Sequence, residues 1–103
     1  MEQVYTIDEI KRKLLPIFTE VPIKKAVLFG SYANGTADTK SDVDLLVDSG
    51  LEGFDFLLLR EDIYGALGIE VDVFDVTHII VGSKIDNEIN NNGVIIYDEM
   101  QSY

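Results

Sequence analysis

The chain has 103 residues, 47% of them hydrophobic, a length that fits a single domain over residues 1–103. With 8 Lys and Arg against 19 Asp and Glu, the net charge is −11, which argues against direct binding to nucleic acid or to an anionic membrane, since basic side chains hold both. The absence of cysteine excludes disulfides and thiolate metal sites, and because the sequence shows neither a signal peptide nor an apolar run near the roughly 20 residues of a membrane span, we expect a cytoplasmic protein.

The first predicted helix begins after a capping-box pattern, Thr6-x-x-Glu9. Apolar residues then recur at helical spacing, which predicts one buried side for this helix. They are Ile7, Ile10, Leu14, Phe18 and Val21. Pro16 lies within this stretch and lacks the N–H that a helix interior uses, so we expect it to kink the helix or to begin a new turn.

Two predicted strands enclose a loop of small and polar residues. The first strand covers residues 25–29, and the composition of residues 32–41 indicates a loop with at most one helical turn. The second strand covers residues 42–47 and opens with Asp42 and Asp44. Because side chains alternate along a strand, these two carboxylates are predicted to point to the same face.

The second half of the chain alternates helix and strand. A helix is predicted over residues 55–67, with Phe56, Leu59, Ile63 and Leu67 as its apolar stripe. Strands are predicted over residues 69–76 and 93–97, with a short helix over residues 83–91 between them, and residues 98–103 are expected to fray. Helices that alternate with strands predict an α/β or α+β fold.

The order of features between Val27 and Asp48 points to chemistry. An apolar strand ends in Gly30-Ser31, a loop of small residues follows, and Asp42-x-Asp44 opens the next apolar strand. Backbone N–H groups and a serine hydroxyl at such a turn can hold a phosphate tail. Two carboxylates on one strand face can hold Mg²⁺, which prefers oxygen ligands. The alternative is that these carboxylates only solubilise or cap an exposed strand end.

Residues 29–37, Phe-Gly-Ser-Tyr-Ala-Asn-Gly-Thr-Ala, and residues 41–47, Ser-Asp-Val-Asp-Leu-Leu-Val, resemble the minimal nucleotidyltransferase (MNT) family. That family belongs to the DNA polymerase β-like nucleotidyltransferase superfamily. The resemblance implies the nucleotidyltransferase fold, with a small mixed β-sheet flanked by helices. The implied site residues are Gly30 and Ser31 at the triphosphate of ATP, and Asp42, Asp44 and Asp72 as the catalytic carboxylates that bind Mg²⁺.

Two features of the site stay open on the sequence alone. Asp75 is the alternative third carboxylate and lies on the opposite face of the same predicted strand, although the Val-Asp-Val context favours Asp72. Many family members carry arginine where this chain has Asn34, which is expected to weaken the hold on an anionic nucleotide. The basic residues that could compensate, if they are more than ordinary surface charge, are Lys40, Arg60 and Lys84.

The resemblance also implies a function and a partner. In prokaryotic toxin–antitoxin pairs, an MNT antitoxin is encoded beside a HEPN-domain RNase toxin and can transfer AMP from ATP to a tyrosine of that toxin. We therefore predict a Mg²⁺-dependent protein adenylyltransferase that acts as a type VII-like antitoxin and forms a hetero-oligomer with a HEPN toxin. One alternative is a non-catalytic antitoxin that neutralises its toxin by binding. Another is a nucleotidyltransferase acting on RNA ends or on a small molecule, which the acidic charge and the short chain disfavour.

Overall fold

The computed structural model describes residues 4–21 and 23–100. Helices and strands alternate along the chain, which confirms the predicted fold class. The elements are α1 (Ile7–Glu20), β1 (Lys25–Phe29), α2 (Ser31–Asn34), β2 (Val43–Asp48), α3 (Gly53–Leu67), β3 (Val71–Asp75), α4 (Lys84–Asn92) and β4 (Val94–Asp98). A single turn of 3₁₀ helix, Val76–His78, follows β3.

The strands form one four-stranded mixed sheet in the order β3-β2-β1-β4. β1 pairs antiparallel with β2 on one side and with β4 on the other. β2 pairs parallel with β3, and α3 connects them, because parallel neighbours need a crossover connection. This parallel pair sets the alignment of the carboxylates described below.

Helices α1 and α3 pack together over one face of the sheet and form the core. The residues predicted to be buried in α3 are buried, as are Ile10, Leu14 and Phe18 of α1. Along β1, Ala26 and Leu28 belong to this core cluster. The intervening side chains point to the opposite face, which α4 covers in part through its contact with β1. That second face carries the candidate site.

The predicted capping box of α1 is present. The Glu9 N–H donates to Oγ1 of Thr6 at 3.1 Å, and the Thr6 N–H donates to Oε1 of Glu9 at 2.9 Å. The helix continues past Pro16 to Glu20, with the proline ring on the exposed side. The core side of α1 therefore stays continuous.

Several element boundaries differ from the sequence-based prediction. β2 begins one residue later, at Val43, and α2, the one helical turn allowed in the predicted loop, begins one residue before that loop, at Ser31. β3 ends at Asp75, because the Asp75 side chain caps the 3₁₀ turn that follows. Asp98 was predicted to begin a frayed tail, but it extends β4 and pairs with Lys25; residues 101–103 lie outside the described residues. Among the described residues, none of the helices is both long and apolar enough to span a bilayer.

Candidate active site

Two of the predicted metal ligands lie side by side on the second face of the sheet. The parallel register of β2 and β3 aligns Asp44 with Asp72. Residues directly opposite one another in a sheet point to the same face, so the two carboxylates meet. Asp44 is partly buried, Asp72 is exposed, and the two carboxylates are close enough to share a proton. The pairing joins residues from separate strands and gives the site its centre.

Burial and surrounding negative charge raise the pKa of Asp44 to about 6. The largest cause is loss of water around this partly buried carboxylate, and repulsion from Asp72 and from Asp42 comes next. Glu88 adds a smaller repulsion. A cation placed among these carboxylates would relieve the repulsion and favour the ionised form of Asp44.

The turn after β1 brings Gly30 against Asp44. Gly30 has φ of +73°, and a Cβ atom at this position would collide with Oδ2 of Asp44. Glycine is therefore required both by the backbone conformation and by the space available. Ser31 follows as the first residue of α2, and the first N–H groups of a helix lack partners within it. The structure thus places the Gly30-Ser31 turn beside the carboxylate pair.

Asp42 directly precedes β2 and is exposed. It acts on Asp44 through its charge. Lys40 and Asp42 line the same cleft, which has a volume of about 330 Å³. Of the three candidate cations, Lys84 lies instead beside Phe74, and Arg60 is on the exposed side of α3.

Glu88 is a site residue that the sequence-based analysis missed. It lies on α4, and its carboxylate accepts hydrogen bonds from Nδ2 of Asn34 at 3.4 Å and from Nδ2 of Asn92 at 3.3 Å. Its repulsion of Asp44 shows that α4 brings it to the site. A signal existed, because Glu88 lies three residues after Ile85 within the predicted short helix, a spacing that puts the two side chains on one side of it.

Asp75 is bound inside the protein rather than offered to a ligand. It is 1% exposed. Its Oδ1 accepts from the N–H and hydroxyl of Ser49 at 3.1 and 2.6 Å, and its Oδ2 accepts from the N–H and hydroxyl of Thr77 at 3.0 and 2.8 Å. Burial opposes ionisation, but the hydrogen bonds from Ser49 and Thr77 hold the pKa of Asp75 below its usual value. The geometry favours Asp72 as the third carboxylate.

The donor set fits a hard divalent cation. In residues 4–21 and 23–100, no three or more His, Asp or Glu side chains are already arranged as a metal site. However, Asp42, Asp44 and Asp72 offer only carboxylate oxygens, which are ligands that Mg²⁺ prefers. A bound cation would offset the repulsion among carboxylates that helps to raise the pKa of Asp44. On these chemical grounds the three residues are the candidates for holding a divalent cation.

The chain matches the "Polymerase beta, Nucleotidyltransferase" family over residues 12–102. Two proteins of Methanocaldococcus jannaschii, each provisionally named a protein adenylyltransferase, are similar in sequence. One is 40% identical over 87 residues, which cover 80% of this chain and 92% of the relative. The other is 33% identical over 78 residues, which cover 71% of this chain and 78% of the relative.

Solved structures share the fold. A protein provisionally assigned as a minimal nucleotidyltransferase aligns with a TM-score of 0.70 at 22% identity, over 87% of this chain and 95% of that chain. A toxin–antitoxin complex solved with AMP-PNP contains a chain that aligns with a TM-score of 0.70 at 23% identity, over 88% of this chain and 75% of that chain. The structure of a tri-AMPylated Shewanella oneidensis HEPN toxin in complex with an MNT antitoxin contains a chain that aligns with a TM-score of 0.65 at 18% identity, over 90% of this chain and 73% of that chain. Together with the family match, these likenesses confirm the predicted nucleotidyltransferase fold.

Proposed function

Because the chain belongs to the polymerase beta nucleotidyltransferase family, we propose that it transfers AMP from ATP to a hydroxyl group of a HEPN toxin and acts as that toxin's antitoxin. Family membership implies a nucleotide substrate and a divalent metal, and we propose that the metal is Mg²⁺. A 40% identical relative is named a protein adenylyltransferase, and the fold recurs in a complex with a tri-AMPylated HEPN toxin. Both likenesses support the proposal.

The observation that carries the proposal is the meeting of Asp44 and Asp72 beside the Gly30 turn. Asp42, Asp44 and Asp72 would hold Mg²⁺, which would lower the pKa of the acceptor hydroxyl and neutralise charge on the α-phosphate. The Gly30-Ser31 turn would receive the triphosphate through its backbone N–H groups and the serine hydroxyl. The acceptor oxygen then bonds to the α-phosphorus as the bond to pyrophosphate breaks, and the hydroxyl proton leaves to solvent.

The charge of the chain suits this partner. A net charge of −11 complements the basic surface that an RNase toxin needs in order to bind RNA. We therefore propose a hetero-oligomer of the two chains. We place it in the cytoplasm, where an RNase toxin meets its RNA and where ATP is supplied.

The test is AMP transfer measured by intact mass. The purified chain is incubated with ATP, MgCl₂ and a candidate HEPN partner protein, and both chains are weighed. We expect a gain of AMP mass on the HEPN protein, with a rate lower by about a hundredfold or more in Asp44→Asn, because that change removes the central carboxylate. Asp55→Asn is the matched control, since Asp55 is exposed on α3 away from the site, and it should transfer at the wild-type rate. Full transfer by Asp44→Asn would refute the assignment.

One observation favours a second function, neutralisation by binding alone. Asn34 stands where many family members carry arginine, and its neutral amide, which donates a hydrogen bond to Glu88, supplies no positive charge at the Gly-Ser turn. A chain that had lost catalysis would still suppress toxicity after Asp42→Asn/Asp44→Asn, whereas an adenylyltransferase would not. Growth of cells that express the toxin with this double variant separates the two functions.

A further inference from the structure

An apolar pocket lies next to the carboxylate pair, on the same face of the sheet. We call it the β3–α4 pocket; its walls include Phe74, Ile79, Ile80 and Ile85, and its volume is about 310 Å³. Phe74 lies two residues after Asp72 on β3, so their side chains share a face about 7 Å apart along the strand. An extended peptide could therefore place one side chain in the pocket and, a few residues away, a hydroxyl group at the carboxylate pair.

The loop at the pocket's edge exposes aliphatic side chains to an unusual degree. Ile80 is 76% exposed and Val81 is 91% exposed. Single exposed apolar residues are common on proteins, but two consecutive ones at the edge of an apolar pocket point to a surface that binds a partner.

Charge separates the two ends of this surface. Lys84 lines the pocket, as does His78. Toward the other end, Asp44 and Asp72 meet, and Asp42 and Glu88 add further negative charge. Because Mg²⁺ would occupy the carboxylates during transfer, a segment that spans both ends would place an apolar side chain in the pocket and the acceptor hydroxyl at the metal. The net charge of −11 favours a basic surface elsewhere on the partner.

We propose that the β3–α4 pocket binds the segment of the partner protein that carries the acceptor hydroxyl. This inference rests on the proposed function and adds the chemistry of the acceptor. The segment has a large apolar side chain about two to four residues from the hydroxyl-bearing residue, as the rise of an extended chain requires, and it belongs to a protein whose basic surface complements the net charge of −11. The adenine ring of ATP is the competing occupant, and the strong exposure of Ile80 and Val81 favours a macromolecule over it, because such exposed side chains do not enclose a ring.

The experiment compares two double variants that remove similar exposed apolar surface. Ile80→Ser/Val81→Ser changes the pocket's edge, and Phe54→Ser/Leu58→Ser changes the outer side of α3, where those residues are 70% and 47% exposed. For each variant we measure kcat/KM for AMP transfer to the HEPN protein, the Kd of the complex of the two chains, and the Kd for Mg·ATP. The pocket variant should lose about tenfold or more in kcat/KM and in affinity for the HEPN protein. Its affinity for Mg·ATP should stay at the wild-type value, and the α3 variant should match wild type throughout.

Three results would overturn the inference. Wild-type transfer and binding by the pocket variant would show that the pocket does not dock the acceptor. Weaker binding of Mg·ATP by the pocket variant would assign the pocket to the adenine ring. A loss of partner binding confined to the α3 variant would move the docking surface to α3. If wild type binds the HEPN protein but transfers no AMP, the proposed activity fails while the pocket is still judged by the Kd of the complex.

Discussion

Asp72 and Asp75 lie three positions apart on one chain segment, yet their surroundings give them opposite uses. Asp72 is exposed beside Asp44, whereas Asp75 is enclosed by donors from Ser49 and Thr77. The strand alternation placed them on opposite faces in the sequence-based prediction. The donors around Asp75 were not predictable, because Ser49 reaches it from the end of a different strand.

The enclosed carboxylate of Asp75 should contribute to stability. In Asp75→Asn, an amide group replaces one carboxylate oxygen and cannot accept both sets of hydrogen bonds, so we expect a loss of about 1–3 kcal/mol in the free energy of unfolding at neutral pH. The folded pKa lies below the unfolded value of about 3.9. The carboxylate's contribution is therefore complete above the unfolded value and is lost as the pH falls through the folded pKa.

Urea unfolding of wild type and Asp75→Asn at neutral pH and at about pH 3 measures this contribution. The difference between the two proteins should shrink toward acid pH. Asp55→Asn is the control, and its effect should stay within about 0.5 kcal/mol, because Asp55 is exposed. If wild type and Asp75→Asn differed equally in free energy of unfolding at both pH values, ionisation of Asp75 would not contribute to stability.

At the scale of elements, α1 tolerates a proline because its core side is unaffected. Ile10, Leu14 and Phe18 are buried on one side, while Pro16 lies on the exposed side. The hydroxyl of Thr19 donates to the backbone oxygens of Leu15 and Pro16 at 3.1 Å in each case, which supports the turn after the proline. Burial thus outweighs the local cost of a residue that has no N–H.

Pro16→Ala should stabilise the protein. The substitution restores a backbone donor in the helix interior and removes the clash of the ring with the preceding turn. The substitution also increases the conformational entropy of the unfolded chain, which offsets part of the gain in stability. We expect a net increase of about 1–2 kcal/mol in the free energy of unfolding, measured by urea denaturation. A decrease would mean that the ring makes a stabilising contact on the helix surface.

The helices and strands were predictable from local pattern, whereas their arrangement was predicted only through the resemblance to a known family. Periodicity identified the buried side of α3, and the apolar runs identified the strands. The parallel pairing of β2 with β3, which aligns Asp44 with Asp72, depends on the packing of α3 across the sheet. Glu88 was missed for the same reason, since only the placement of α4 brings it near Asp44.

At the scale of the whole molecule, the excess of carboxylates makes the fold sensitive to ions. With a net charge of −11, like charges repel across a domain whose principal extents are 34 × 31 × 30 Å. The Debye length falls well below these dimensions at moderate salt, so added NaCl should screen much of the repulsion. Screening by NaCl acts on all the carboxylates, whereas a divalent cation can act specifically on the repulsion around Asp44.

Mg²⁺ should therefore stabilise the protein beyond the effect of ionic strength alone. We expect the unfolding temperature to rise with NaCl and to rise further, by about 2 °C or more, in MgCl₂ at the same ionic strength. In Asp44→Asn the additional rise should disappear, because one of the two facing carboxylates is gone, while the protein in NaCl unfolds at a higher temperature than wild type. Asp55→Asn, which removes the same charge elsewhere, should keep the Mg²⁺ response. Scanning calorimetry of the three proteins measures these shifts, and an equal response of wild type and Asp44→Asn to Mg²⁺ would place the metal away from the aligned carboxylates.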